Sequence, residues 1–193
     1  MRWKGVVYDL VMAPLERLGL ARRRGAFLAG LEGPVLELGA GTGLNLPRYS
    51  SSAAVIAIDP QLSMLEKAKG RRRAGQCLVC ARAEALPFPE AVFPAVAGSF
   101  VFCTVQDPLR GLAEARRVLA PEGELRLLEH VRWDRHPRLA RLQDFLTPTW
   151  RIAADGCHLN RDIGALLERA GFRITRRRDD ADGLVVELSA RRS

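Results

Sequence analysis

Val35 to Leu46 reads VLELGAGTGLNL, an apolar run that breaks into three glycines spaced two apart, Gly39, Gly41 and Gly43. A short, fully apolar segment bounded by glycine is the pattern of a buried strand. Glycine directly after it permits positive φ and leaves no Cβ between main chain and ligand. The residues that follow, LNLPRY, start like a helix that Pro47 keeps short, and a helix start offers unpaired N–H groups to a ligand. The stretch therefore holds something by its backbone.

Which ligand it holds depends on the neighbours. The dinucleotide pattern GxGxxG requires glycine at position 44, where Leu44 stands. Glu37, two residues before the first glycine, puts a carboxylate where a pyrophosphate would meet negative charge; an acid there suits a ligand bearing an ammonium group. A second apolar run, AVIAIDP, ends in Asp59, twenty residues after Gly39, where a carboxylate can accept both hydroxyls of a ribose. Its alternative role is N-cap of the helix in QLSMLEKAK. Glu37, the three glycines and Asp59 together ask for a ribonucleoside carrying an amino acid, a description that fits S-adenosylmethionine.

Outward from this loop, short apolar runs alternate with segments of helical period, the signature of a parallel sheet with crossover helices, an α/β fold. The predicted strands are Pro34–Leu38, Ala54–Ile58, Cys77–Ala81, Ala95–Val101, Glu124–Val131, Phe172–Arg176 and Gly183–Ala190. The predicted helices are Gln61–Lys69, Pro108–Leu119 and Asn160–Ala170, the last stopped by Gly171. With 193 residues, 48% of them hydrophobic, the chain reads as one domain with one core. Residues 1–30 form a helical cap broken near Pro14, and 132–156, rich in arginine and aromatics, form an insertion facing the substrate.

The net charge of +8 is carried mostly by arginine, with runs at Arg22–Arg24, Arg71–Arg73 and Arg176–Arg178 and no interleaved aromatics for base stacking. These runs read as solvated surface, and no specific nucleic-acid partner is expected. There is neither an apolar run of about 18 residues nor a secretory leader pattern, so a cytoplasmic protein is expected, with at most weak association to a membrane surface. Cys77 and Cys80 form a CxxC inside the apolar run CLVCA and read as buried structural cysteines. A zinc site would need a second ligand pair, and the three histidines, His130, His136 and His158, show no such spacing, so no metal is expected.

At this point the sequence resembles the class I S-adenosylmethionine-dependent methyltransferases over nearly its whole length. VLELGAGTG is similar to their first motif, AIDP to their ribose-binding acid, RAEALPFPEAVFPAV to their adenine-side segment, and EARRVLAPEGELRLLEHV to the helix, turn and strand that follow. Within the class the chain resembles the type 11 branch of ubiquinone and menaquinone methyltransferases. FVFCTVQDP, LLEHV and DFLTPTWRIAADGCHLNRDIGALLERAGF resemble methyltransferases of thiols, which carry a membrane-anchoring N-terminal helix with no counterpart in this sequence.

The resemblance implies a Rossmann-like three-layer sandwich, its seven-stranded sheet ordered 3-2-1-4-5-7-6 with the last strand antiparallel. It assigns S-adenosylmethionine, and its product S-adenosylhomocysteine, to Glu37, Gly39, Ala40, Gly41, Gly43, Asn45, Asp59, Pro60, Met64, Ala83, Glu84, Ser99 and Phe100. Candidates for acid or base work at the strand ends are His130 and Asp107, and for the acceptor site Tyr8, Trp150 and His158. Two departures stand out: Arg82 replaces an acid common on the adenine side, and Pro94 replaces the aspartate of a common Phe-Asp pair. The expected activity is methyl transfer to a small, apolar acceptor, either a thiol or a carbon or oxygen of the quinone and phenol type. Rival readings are an NAD(P)-dependent oxidoreductase and a non-catalytic nucleoside- or nucleic-acid-binding module. Oligomeric state stays open.

Overall fold

The computed structural model describes residues 3–193; residues 1 and 2 of the expected cap lie outside it. Seven strands, β1 (Gly33–Leu38), β2 (Ala53–Asp59), β3 (Gln76–Cys80), β4 (Phe93–Ser99), β5 (Leu119–His130), β6 (Phe172–Asp180) and β7 (Val185–Arg192), form one sheet. Its order is β3-β2-β1-β4-β5-β7-β6, parallel except for β7, which runs antiparallel to both neighbours. The strand order reverses between β1 and β4, the topological switch point where open α/β sheets bind ligands.

Among the described residues six α-helices accompany the sheet: α1 (Trp3–Leu15), α2 (Ala21–Leu28), α3 (Leu62–Ala68), α4 (Pro108–Val118), α5 (Pro137–Ala153) and α6 (Ile163–Arg169). One core layer, with Phe102, Leu112, Val118 and Leu167, lies beneath α4 and α6; the other, with Phe27, Leu28, Leu65 and Ala68, lies beneath α2 and α3. Central strands bury both faces, which is why β1, β2 and β4 read as continuous apolar runs. Pro94 sits where the β4–β5 register shifts between Phe93 and Ala95, a bulge that tolerates a residue with no N–H.

Four expectations are corrected. Pro14 does not break the cap: α1 runs through it, and the chain turns in a π-helical stretch, Glu16–Leu20, whose Gly19 has φ 122. The insertion holds a seventeen-residue helix, α5, that the sequence reading left unassigned. Only Ala140 and Thr147 of α5 are buried; Leu139, Leu142, Leu146 and Trp150 recur at helical spacing on its exposed side, and Pro148 interrupts the run without ending the helix. Cys77 and Cys80 are exposed, because β3 is an edge strand. Arg24, expected on the surface, is 2% exposed.

Asp9 clamps α1 onto the glycine loop. Its carboxylate accepts from Thr42 Oγ1 at 2.6 Å and pairs with Lys67 at 2.7 Å and Arg71 at 2.8 Å. Among the described residues no helix is long and apolar enough to cross a membrane.

Candidate functional site

A cleft opens at the switch point, floored by Gly39, Ala40 and Gly41, walled on one side by Asp59, Gln61 and Met64, and on the other by Ser99, Phe100 and Val101. Tyr8 and Arg24 from the N-terminal helices and Ala154 and Asp155 after α5 cover it. All three loop glycines have positive φ, but space treats them differently. A Cβ on Gly39 would lie 2.4 Å from Val101 Cγ2, whereas one on Gly41 would meet nothing within 4 Å. Gly39 is bare for packing, and Gly41 is bare toward the cleft. Gly43 faces α3, where a Cβ would stand 3.0 Å from Ala68, so it does not line the cleft.

Asp59 holds the loop in place. Its Oδ2 accepts from the Gly41 N–H at 2.9 Å and its Oδ1 from the Gln61 N–H at 2.8 Å. It is not the cap of α3, whose N-cap is Gln61. A carboxylate offers about four acceptor positions, so two remain. Burial, only partly offset by these amides, raises its pKa.

A buried polar network fills the other end. Arg24 Nη1 donates to Asn45 Oδ1 at 3.0 Å and to Ser99 Oγ at 2.6 Å; Asn45 Nδ2 donates to Glu37 Oε1 at 2.9 Å and to Ser99 Oγ at 2.8 Å. Arg24 Nε pairs with Glu16 Oε1 at 2.7 Å, yet Arg24 Nη2 is buried with no partner. A buried guanidinium N–H left unpaired beside a cleft is a donor in want of an anion. Glu37 lies one layer below the lining, 1% exposed, and burial pushes its pKa up to about 7.

That raised pKa gives a stability test. A carboxyl whose folded pKa exceeds its unfolded one stabilises the fold at low pH and loses that contribution as pH rises through about 7. Glu37→Gln cannot ionise. Between about pH 5 and pH 8 the variant should therefore gain about 2–3 kcal/mol relative to wild type, read as the difference between paired urea titrations of ligand-free protein. A constant difference would contradict the burial argument.

Phe100 takes φ 54, an uncommon conformation for an aromatic residue, with the Arg24 guanidinium 5.3 Å from its ring centroid. Glu129, fully buried, fastens the following turn by accepting from the Val101 and Phe102 N–H groups at 2.8 Å each.

Of the remaining candidates, Tyr8 lines the cleft and the others fall outside it. Asp107 is exposed and caps α4 by accepting from Arg110 N at 3.0 Å, so it is a helix cap and not an acid at the site. His130 stacks on Phe100 and turns Nε2 to Cys157 Sγ at 3.2 Å, away from the lining. His158 binds the Cys103 carbonyl through its main-chain N–H at 2.8 Å and lines nothing. Trp150 is 45% exposed on α5, and Tyr8 does line the cleft. Ala83 is buried, Pro60 only presents its carbonyl to Cys80, and the Glu84 carboxylate accepts from the Gln106 N–H at 3.2 Å. Arg82 reaches Gln106 Oε1 at 3.0 Å, so the departure from the family's acid is used within the adenine-side loop.

Sequence reading missed Arg24, Thr42, Gln61 and Ala154. Arg24 looked like one of three surface arginines, and only its position opposite Asn45 and Ser99 distinguishes it.

Known proteins agree with this geometry. The profile of a family described as a methyltransferase domain matches residues 36–127. A thiol S-methyltransferase of Rattus norvegicus is 34% identical over 144 residues, 72% of this chain and 59% of that protein. A phosphatidylethanolamine N-methyltransferase of Cereibacter sphaeroides is 33% identical over 144 residues, 72% of this chain and 70% of that protein. The chain thus spans about three fifths of the length of the thiol S-methyltransferase it matches. In fold, a SAM-dependent methyltransferase from Aquifex aeolicus superposes with a TM-score of 0.67 at 20% identity, covering 92% of this chain and 93% of that one. Sheet order, glycine loop and these relatives converge, and the chain belongs to the class I S-adenosylmethionine-dependent methyltransferases.

Proposed function

We propose that this chain transfers a methyl group from S-adenosylmethionine to a small, apolar thiol. The observation that carries the donor assignment is Arg24 Nη2, buried and unpartnered beside a cleft whose far wall ends in Asp59. The donor, when bound, supplies an electrophilic methyl group on a sulfonium. Arg24 offers its free N–H to the donor's carboxylate, and Glu37 supplies negative charge behind Asn45 for its ammonium. Gly41 leaves room for the body of the ligand, and Asp59 accepts the ribose hydroxyls at the positions that Gly41 and Gln61 leave open.

For the acceptor, the chain's contribution is to position a nucleophile and exclude water. Tyr8, Val101, Thr104 and Ala154 line that side. The two helices that lead to Tyr8 and Ala154, α1 and α5, expose the apolar Leu10, Val11, Phe145 and Ile152 to 60–88%. With Arg17 and Arg22 exposed nearby in sequence, these residues also suit weak association with a membrane surface that delivers such acceptors. The carboxylate on this side, Asp155, accepts from Gln61 Nε2 at 2.6 Å, and a thiol needs no dedicated base, since its ordinary pKa of about 8.5 leaves some thiolate at neutral pH. The similarity to a thiol S-methyltransferase supports the same choice.

A panel of aliphatic thiols, phenols and quinols with labelled donor tests the acceptor. Thiols should be methylated, with kcat/KM rising about tenfold per pH unit up to each thiol's own pKa and then levelling. Turnover of phenols or quinols with none of thiols would overturn the assignment.

A further inference from the structure

The cleft leaves a second group of chemistry-bearing side chains unused. Cys103 Sγ, His130 Nε2 and Cys157 Sγ all lie within 4.8 Å of one another, and none of the three residues lines the cleft. They come from three places in the chain: the loop after β4, the last residue of β5 and the turn after α5. Cys103 is buried, and His130 and Cys157 are half-buried. Spacing in sequence could not reveal the group, because only the sheet brings position 130 between positions 103 and 157.

Two sulfurs and one imidazole nitrogen form a soft donor set, of the kind that selects zinc and related thiophilic ions over magnesium or calcium. Tetrahedral bonds of about 2.3 Å to sulfur and 2.0–2.1 Å to nitrogen place ligand atoms roughly 3.5–3.8 Å apart. The triangle here brackets that spacing, with His130 Nε2 at 3.2 Å from Cys157 Sγ and every edge within 4.8 Å. Its backbone is already held. Glu129 grips the amides of Val101 and Phe102, and His158 N–H donates to the Cys103 carbonyl at 2.8 Å, tying the two cysteine-bearing turns together. Charge also balances. Two thiolates cancel a divalent charge, so an ion adds none beside Arg161, whose guanidinium donates to the carbonyls of Phe102 and Val105.

We propose that Cys103, His130 and Cys157 form a binding site for a thiophilic divalent cation such as Zn²⁺, with a fourth position left to water or an added thiol. An ion there fastens the 132–156 segment to the ends of β4 and β5. The site lies behind the cleft wall, with His130 stacked on Phe100, and its test reads metal and not methyl transfer.

The test is titration of chelator-stripped protein, kept reduced by a phosphine, with Co²⁺. The expected result is thiolate-to-cobalt charge-transfer absorption that saturates at one ion per chain, is displaced by Zn²⁺, and accompanies a rise in melting temperature. A double variant, Cys77→Ser with Cys80→Ser, should behave as wild type, because that exposed pair lies on the edge strand. Cys103→Ser and Cys157→Ser should lose the band, and His130→Ala should weaken binding more than about tenfold. Far-UV circular dichroism and cooperative unfolding check that each variant folds. Absence of the band in wild type, or its loss in the Cys77 and Cys80 variant with retention in a folded Cys157→Ser, would overturn the proposal.

Discussion

Asp59→Ala should weaken S-adenosylhomocysteine binding by about 100-fold, the loss of about 3 kcal/mol that two charge-assisted hydrogen bonds to a ribose represent in a buried setting. The carboxylate is 8% exposed and keeps two acceptor positions for a ligand after serving Gly41 and Gln61. Alanine also frees both amides, so the loop that presents the donor loosens as well. Calorimetric titration measures the affinity, and circular dichroism confirms that the sheet persists. Binding within about threefold of wild type would show that Asp59 is a loop fastener alone.

Gly39→Ala and Gly41→Ala should part company, although the two glycines are separated by one residue and share positive φ. At Gly39 the new methyl would meet Val101 Cγ2 at 2.4 Å and Val101 Cβ at 2.8 Å. Val101 cannot retreat easily, since its N–H is held by the buried Glu129 carboxylate. Strain of about 1–2 kcal/mol from the left-handed backbone adds to the overlap, and a loss of more than about 4 kcal/mol is expected, seen as unfolding or insoluble expression. At Gly41 the methyl meets no atom within 4 Å. That variant should fold with a loss of about 1 kcal/mol, and its defect should appear in donor affinity. Thermal melting and ligand titration of both variants separate the roles. Equal stability losses would contradict the packing geometry.

Much of the fold was legible because central parallel strands bury both faces and therefore advertise themselves as unbroken apolar runs. Their ends were less so. The β4 strand begins two residues earlier than its apolar run, at Phe93, where only a bulge accommodates Pro94, and β6 extends to Asp180 because pairing with β7 carries polar residues along. Helix α5 was passed over because Pro148 falls inside its apolar run, where proline ordinarily ends a helix.

In the site, Gly39, Gly41 and Asp59 were readable because glycines after one strand and an acid at the end of the next stand at a fixed distance along one β-α-β unit, and all three line the cleft. Arg24 was not, since a buried arginine and a surface arginine look identical until a cleft surrounds one of them. Asp107 misled for the converse reason. An acid after a strand reads as chemistry, but the Pro108 that follows it marks a helix start, and the carboxylate caps α4. His130 points to the same lesson, its ring nitrogen being turned to a cysteine 27 residues away.

The central claim is that the cleft at the β1–β4 switch point is built for a nucleoside bearing an amino acid. Side-by-side calorimetric titration of the wild-type chain with S-adenosylhomocysteine and NAD tests it most directly. Saturable binding of S-adenosylhomocysteine at one per chain, with NAD weaker by more than about 100-fold, is the predicted result. Binding of NAD with none of S-adenosylhomocysteine would contradict it.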